Sequence, residues 1–171
     1  MLVRQIHNSG MCILPHTYSH EYKIYKSDEA YLDDLYKCSR VIKSITGEEI
    51  PYYTRLPGGS TNLIAGTFRN KRIREILKER GMNYVDWNVS SADAASERVA
   101  KERIRENVIN QCKDKKLAVV LMHDSYYKTT TVAALPEIIN YLKREGFVFR
   151  TFDDVTKEEE GEMVKQKILN R

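Results

Sequence analysis

The order of apolar and polar residues predicts helices over much of the chain. After Ser27, apolar residues recur every three or four positions as far as Gly47, which is the spacing of one helix face. Ser27 has the side chain of a good N-cap, and Asp28 and Glu29 suit the positive end of the helix dipole. Similar spacing predicts a short helix closed by Gly10, helices at 66–80 and 95–113, a helix with Pro136 in its first turn, and a terminal helix after Lys157.

Shorter apolar runs predict five strands between these helices. The strands are expected at residues 11–15, 50–55, 83–89, 117–122 and 147–152. The run at 117–122 is continuously apolar, which is typical of a parallel strand covered on both faces. Because strands and helices alternate along the chain, we predict an α/β fold built on a parallel sheet or barrel.

Residues with reactive side chains follow the ends of successive predicted strands. They are His16, His20, Arg55, Asp93 and His123. In open parallel sheets and in barrels, ligands bind at the carboxyl ends of the strands. We therefore expect these side chains to converge on one site if the sheet is parallel.

The histidines His16 and His20 lie four positions apart. That spacing lets two ring nitrogens bind one divalent ion, either on a helical turn or in a tight loop after a strand. Cys12, four positions before His16, could supply a third ligand, although the apolar run at 11–14 favours a thiol in the core. The pair alone is also compatible with a solvated loop.

The composition restricts the classes of protein to consider. The 171 residues suffice for one domain with a substantial core, and 42% of them are hydrophobic. No apolar run approaches the roughly 18 residues that cross a bilayer, so we predict no membrane span. The net charge of +4 is spread over mixed charges, which argues against nucleic acid as a partner, and the basic stretch 69–74 is interpreted as a solvated helix face rather than a phosphate-binding patch. The three widely spaced cysteines argue against a disulfide framework.

Four ordered segments carry a resemblance to a known family. They are His16-Thr17-Tyr18-Ser19-His20, Arg55-Leu56-Pro57-Gly58-Gly59, Trp87 with Asp93 six positions later, and Leu121-Met122-His123. In order and spacing they resemble motifs two to five of the NodB-type polysaccharide deacetylases, also called carbohydrate esterase family four. The resemblance covers residues 1–155 and implies an incomplete, deformed parallel (β/α) barrel of about five strands with flanking helices. Residues 156–171 are expected to form a charged, helical tail.

The resemblance also implies an activity and a cofactor. Members of this family remove acetyl groups from N- or O-acetylated polysaccharides, such as chitin-, peptidoglycan- or xylan-like chains, with one bound divalent metal ion. Zinc is the expected ion, and cobalt and nickel are alternatives. By their match to the second motif, His16 and His20 would be two of its ligands.

Two further residues match positions that carry out proton transfer in the family. His123 would donate a proton to the departing sugar amine. Asp93 would hold the proton and the orientation of His123, with a helix-capping role as the alternative.

The remaining matched residues would surround the substrate. The backbone N–H of Gly58, beside Pro57, would occupy the oxyanion position. Arg55 would tune a catalytic carboxylate, or else form a surface ion pair. Trp87 and Leu121 would line the acetyl pocket, although both are equally suited to the core.

One part of the family pattern is missing. The first motif, paired aspartates followed by glycine and proline, supplies the catalytic base and the third metal ligand in the family, and no such segment precedes His16. We therefore expect an N-terminally truncated chain. The segment Thr151-Phe152-Asp153-Asp154 spells part of the motif. We interpret it as the end of the last strand, with a displaced first motif as the alternative.

The missing motif leaves more than one interpretation of the function. The leading one is a metal-dependent deacetylase, and the alternatives are a catalytically inactive carbohydrate-binding remnant or an unrelated α/β barrel with fortuitous motifs. An incomplete barrel would expose sheet edges, so we expect a homo-oligomer. The first six residues have no signal-peptide pattern, whereas the family usually acts at the cell envelope or is secreted, so the location stays open.

Overall fold

The computed structural model describes residues 2–49 and 52–171. The chain divides into two compact units, which are described separately. Unit 1 contains the residues up to Asp86 together with Arg150–Arg171, and unit 2 is Trp87–Phe149.

The described residues form six α-helices and four short strands. The helices are α1 (Leu2–Asn8), α2 (Asp28–Thr46), α3 (Gly66–Glu79), α4 (Lys101–Cys112), α5 (Thr129–Arg144) and α6 (Lys157–Lys165), with 3-10 turns at Tyr22–Lys26 and Asp93–Ala95. The strands are β1 (Tyr53–Thr54), β2 (Asn83–Tyr84), β3 (Val89–Ser90) and β4 (Val120–Leu121). None of the helices in the described part of the chain is long and apolar enough to cross a membrane.

Helix α2 shows how local sequence sets the ends of a helix. The Ser27 hydroxyl accepts a hydrogen bond from the Ala30 N–H at 3.1 Å, which satisfies one of the free donors of the first turn. At the other end Gly47 has φ of +81°, and its N–H donates to the Lys43 carbonyl at 2.8 Å. This left-handed conformation favours glycine, so the predicted helix and both of its ends are confirmed.

The core of unit 1 lies between α2 and α3. Tyr31 and Leu35 of α2 are fully buried and belong to one apolar cluster with Ile73 and Leu77 of α3. Arg69 and Arg72 belong to the basic stretch 69–74 within α3. They bind the carboxylate of Asp28 at 2.9 and 2.7 Å. The basic stretch is therefore engaged in ion pairs on the protein surface.

Each unit contains one parallel strand pair. In unit 1, β1 pairs with β2, and Tyr53 lies opposite Asn83. In unit 2, β3 pairs with β4, and Val89 lies opposite Val120. The parallel pairing is therefore confirmed, whereas the barrel expected from the resemblance stays a prediction.

Two of the five predicted strands are wrong. Residues 11–15 form no strand, because Pro15 has no N–H to donate and its carbonyl accepts from the Thr54 hydroxyl at 2.9 Å. Residues 147–152 form none either, and Val148 and Phe149 expose 78% and 53% of their surface. An apolar run becomes a strand only where a neighbouring backbone pairs with it.

The other predicted strands are shorter than expected. The run at 50–55 contains β1, while its first two residues lie outside the described residues. The run at 83–89 contains β2 and begins β3, with 85–88 between them. Of the run at 117–122, only Val120–Leu121 is a strand, and it is half-buried rather than covered on both faces.

Unit 2 is built around α4 and α5, which pack against each other. Ile104 and Val108 of α4 share a buried cluster with Ala134 and Ile138 of α5 and with Val89. The helix predicted at 95–113 begins only at Lys101, after the 3-10 turn. The helix predicted to start near Pro136 begins at Thr129, which places that proline in its interior.

The tail 156–171 contains α6 and a buried end. Thr156 and Glu159 form a capping box at the start of α6. Beyond the helix, Ile168 and Leu169 are buried in unit 1, and Leu169 forms an antiparallel bridge with Val85.

Candidate active site

One candidate site is the loop that carries the histidine pair in unit 1. The ring centroids of His16 and His20 are 4.9 Å apart, and the rings are inclined by 63°. Thr17 and His20 have φ of +66° and +55°, a left-handed conformation that non-glycine residues seldom adopt. The two rings are therefore brought together by a strained backbone, which is typical of functional loops.

The imidazole of His16 has a defined tautomer. Its Nδ1 lies 2.5 Å from the carbonyl oxygen of Arg55. Since a carbonyl only accepts, Nδ1 carries the proton, and the lone pair of the neutral ring is on Nε2. This carbonyl-bound arrangement is the one that orients a histidine as a metal ligand.

A carboxylate on α2 holds the backbone between the two histidines. Asp34 Oδ1 accepts hydrogen bonds from the N–H groups of Tyr18 and Ser19, at 2.7 and 2.9 Å. Burial raises the pKa of Asp34, but the hydrogen bonds from Ser19 and Tyr18 outweigh it and leave the pKa lowered. Asp34 was not predicted as a functional residue, because its only signal in the sequence is an acidic residue on the helix that follows the loop.

The loop after β1 contains the residues expected near the oxyanion. Pro57 is buried, and its carbonyl accepts from the Tyr25 hydroxyl at 2.9 Å. Gly58 has φ of +77°, and a Cβ there would come within 3.0 Å of Asn62 Cβ and of the Tyr22 hydroxyl. Both the backbone conformation and the lack of space therefore require glycine.

The buried carboxylate of Asp86 holds the same loop at Ser60, two residues after Gly58. Asp86 accepts from the Ser60 N–H at 2.9 Å and from its hydroxyl at 2.5 Å. Arg74 donates to the Ser60 carbonyl at 2.8 Å. Asp86 and Ser60 were not predicted as functional residues. Their hydrogen bonds join residues 26 positions apart, which leaves no periodic pattern in the sequence.

Unit 2 contains a candidate site of its own, which consists of His123 and Asp93. His123 Nδ1 is 2.8 Å from Asp93 Oδ1, and the His123 backbone N–H donates to Oδ2 at 2.8 Å. The Thr131 hydroxyl also donates to Oδ2, at 3.1 Å. The carboxylate is 2% exposed, so the predicted pair exists and the carboxylate is not a helix cap open to solvent.

Asp93 is held in its ionised form. Burial raises the pKa of this carboxyl, but hydrogen bonds from the side chain and backbone of His123, with a further one from Ser91, outweigh burial and lower it. The ionised carboxylate accepts the Nδ1 proton of His123 and so fixes the orientation of the ring.

An open cleft borders His123. Its volume is about 420 Å³, and its lining includes Ser96, Glu97, Tyr127 and Lys128. The other predicted residues of this unit, Trp87 and Leu121, are half-buried beside β3 and within β4.

The histidine pair supplies two nitrogen donors of a metal site. Residues 2–49 and 52–171 contain no group of three His, Cys, Asp or Glu side chains that could hold an ion. Cys12 belongs to no such group, and burial and the Asp153 carboxylate raise the pKa of its thiol to about 12. Asp153 is accordingly placed against Cys12. The chemistry of the donor set fits two positions of a divalent-ion site.

The chain matches known proteins along most of its length. The family model described as polysaccharide deacetylase matches residues 1–85. Two peptidoglycan-N-acetylglucosamine deacetylases of Bacillus cereus are each 30% identical, over 158 and 159 residues, or 90% and 91% of this chain. The chain covers 54% of the first relative and 68% of the second. It thus spans about half the length of the first relative.

The fold is also similar to that of a solved structure. The catalytic domain of peptidoglycan N-acetylglucosamine deacetylase from Eubacterium rectale superposes with a TM-score of 0.79 and 30% identity. The match covers 91% of this chain and 70% of that domain. With the histidine pair, the Arg55–Gly59 loop and the His123–Asp93 pair in place, the chain belongs to the polysaccharide deacetylase family.

Proposed function

We propose that this chain is the catalytic part of a polysaccharide deacetylase that hydrolyses acetyl groups on an acetylated, peptidoglycan- or chitin-like sugar polymer. The observation that carries the proposal is the way in which His123 is held, with Nδ1 on the ionised Asp93 and its ring bordering an open cleft. Amide hydrolysis needs a group that protonates the departing nitrogen, and this arrangement supplies one.

The histidine pair would hold the metal ion. His16 and His20 would bind one divalent ion through ring nitrogens, with zinc preferred and cobalt or nickel as alternatives. Such an ion supplies Lewis acidity for amide hydrolysis. The hydrogen bond from His16 Nδ1 to the Arg55 carbonyl holds the ring in the tautomer that presents Nε2.

The proton passes through His123. With Nδ1 bound to Asp93, the protonated ring presents its other proton on Nε2. That proton is transferred to the nitrogen that leaves as the sugar amine, and Asp93 keeps the ring oriented throughout.

Other residues would bind the acetyl group. The Gly58 N–H would donate to the oxygen on which negative charge develops, since its loop is held by Tyr25 and cannot carry a larger residue. Pro57, Trp87 and Leu121 would contact the substrate. The Arg55 side chain would tune a catalytic carboxylate. The backbone carbonyl of the same residue accepts the hydrogen bond from His16 Nδ1.

The proposal extends to the barrel architecture, the oligomeric state and the location of the protein. The strand pairs β1–β2 and β3–β4 would be parts of the incomplete (β/α) barrel of the family. Exposed sheet edges would favour a homo-oligomer, which a sedimentation experiment showing a stable monomer would exclude. The protein would act at the cell envelope, where polymers of this kind lie.

Metal content and acetate release test the proposed function. We expect the purified chain to bind a divalent ion and to release acetate from an N-acetylated chito-oligosaccharide. The double substitution His16→Ala/His20→Ala should abolish metal binding and acetate release together. His123→Ala should keep the metal and lower acetate release by about 10²- to 10⁴-fold.

The fourth histidine of the chain is the matched control. His7 lies on α1 and bonds Glu48 at 2.9 Å, so His7→Ala should leave metal and activity unchanged. Sugar binding without acetate release by the unsubstituted chain would favour the inactive carbohydrate-binding remnant instead.

A further inference from the structure

Lys128 is a buried cation at the start of α5. Only 5% of its surface is exposed. Its Nζ donates to the carbonyl oxygens of Asp93, Ser96 and Glu97, at 2.6, 2.8 and 3.1 Å. An ammonium has three N–H donors, so these carbonyls use all of them.

Burial of this charge needs a physical reason. A charged group loses several kcal/mol of hydration when it leaves water, and it regains this only through well-aligned partners. A lysine that served only to fill space would be replaced at lower cost by an apolar side chain of similar length. The three hydrogen bonds need the ammonium group, and an apolar side chain could not form them.

The segment that Lys128 binds carries the carboxylate of the His123 pair. The 3-10 turn Asp93–Ala95 begins immediately after Ala92, whose φ is +55°. This segment has no ladder or α-helical bonds of its own to fix Asp93, since α4 begins only at Lys101. The ammonium therefore holds the turn by its carbonyls, where ordinary secondary structure does not.

The first turn of α5 binds Asp93 at two points. Lys128 holds its backbone carbonyl at 2.6 Å, and Thr131 donates to its carboxylate Oδ2 at 3.1 Å. The helix is started by the Lys128 carbonyl, which accepts from the N–H groups of Thr131 and Val132 at 3.1 and 3.3 Å. Lys128 thus ties the start of α5 to the Asp93 backbone, and Thr131 ties it to the Asp93 carboxylate.

We propose that Lys128 is a positioning residue, which sets the carboxylate of Asp93 and through it the Nδ1 proton of His123. The inference rests on the proposed function only in so far as that function makes His123 the proton donor. Lys128 itself touches neither the ring nor the Nδ1 proton by any of its three hydrogen bonds; it acts through the turn.

The alternative is a role in stability alone. A lysine that only ties the turn to α5 would lower the free energy of unfolding when removed, yet a folded variant would keep the His123 tautomer. A positioning role predicts that the tautomer changes in the folded variant. The two roles therefore differ in a quantity that does not depend on catalysis.

Nitrogen-15 NMR of the His123 ring in the full chain separates the two. In the unsubstituted protein we expect the neutral ring to carry its proton on Nδ1. In Lys128→Met the fraction of this tautomer should fall, and exchange of the His123 backbone amide should rise by about tenfold relative to amides of α4, the size expected for one net hydrogen bond. Lys143→Met is the matched control, because Lys143 lies exposed on the last turn of the same helix and should change neither signal.

Lys128→Arg keeps the test decisive if the methionine variant fails to fold. Its planar guanidinium keeps the charge but cannot direct three N–H groups from one nitrogen onto the three carbonyls, so a smaller change of the same sign is expected. An unchanged His123 tautomer and unchanged amide protection in either folded variant would overturn the proposal, whatever the loss of stability. Failure of the unsubstituted chain to release acetate would count against the proposed function but would leave this measurement valid.

Discussion

The histidine loop of unit 1 and the His123–Asp93 pair of unit 2 hold imidazoles in the same way but with acceptors of different charge. His16 bonds through Nδ1 to a neutral carbonyl, that of Arg55, at 2.5 Å. His123 bonds through Nδ1 to a carboxylate, that of Asp93, at 2.8 Å. In both cases the proton is on Nδ1, and Nε2 is the atom presented for chemistry.

The charge of the acceptor accompanies the difference between the two proposed roles, metal ligand and proton donor. The Arg55 carbonyl fixes the tautomer of His16, which suits the proposed role of this ring as a metal ligand. The Asp93 carboxylate accepts the Nδ1 proton and orients the ring, as the proposed role of His123 as a proton donor requires. The two histidines thus differ in proposed role as they differ in the acceptor of the Nδ1 proton.

The supports of the two regions differ as well. The histidine loop contains two strained residues, and Asp34 holds it through backbone N–H groups. Asp93 is itself buried and receives three hydrogen bonds on its carboxylate oxygens. The first region should therefore fail by loss of metal affinity, and the second by loss of proton transfer.

The largest effect is expected from Asp93→Asn. The amide lacks the charge of the carboxylate that holds His123 Nδ1, so acetate release should fall by about 10²- to 10⁴-fold while metal affinity stays unchanged. Steady-state kinetics and metal titration measure the two quantities. Asp124→Asn, on the exposed residue next to His123, is the control. If the Asp93→Asn variant kept its activity within a few-fold of the unsubstituted chain, the proposed difference between the two regions would be wrong.

A smaller effect, confined to the metal, is expected from Asp34→Ala. Loss of the acceptor for Tyr18 and Ser19 should relax the strained loop and weaken metal binding by about 10- to 100-fold, as for other residues that orient ligands. Calorimetric titration with zinc measures this. Asp33→Ala, at the exposed neighbouring aspartate, should bind zinc normally. Equal affinity in both variants would mean that the loop does not depend on α2.

Thr131→Val tests one donor to the carboxylate. Removing the hydroxyl from Asp93 Oδ2 should lower the free energy of unfolding by about 1 kcal/mol without affecting metal binding. Chemical denaturation measures this change. Thr129→Val, at the exposed first residue of α5, should have a smaller effect, and equal losses would argue against the bond.

The smallest effect is expected in the pH dependence of stability. Because the folded pKa of Asp93 lies below the ordinary 3.8, its ionised form contributes stability that is fully present above pH 3.8 and is lost as the pH falls through the folded value. The difference in unfolding free energy between the unsubstituted chain and Asp93→Asn should shrink over that acidic range. A difference that stays constant would contradict the lowered pKa.

Much of the local structure was predictable because it depends on neighbouring residues. Ser27 and Gly47 predicted both ends of α2 through capping and a left-handed turn, which involve contacts within one helical turn. The histidine pair was found from its spacing, and the partnership of Asp93 with His123 came from the family resemblance rather than from any periodicity. The predicted strands at 11–15 and 147–152 failed because pairing requires a distant backbone.

Local sequence patterns predicted the helices with clear caps, the parallel pairing of the strands and the histidines of the two candidate sites. The acceptor of each histidine Nδ1 proton, and the hold of Asp34, Asp86 and Lys128 on nearby loops, depend on contacts between residues far apart in the chain. Lys128 reaches carbonyls 31 to 35 positions away, and every residue offers the same carbonyl. A contact of this kind leaves no pattern in the sequence, because it depends on where the backbone passes and not on which side chains it carries.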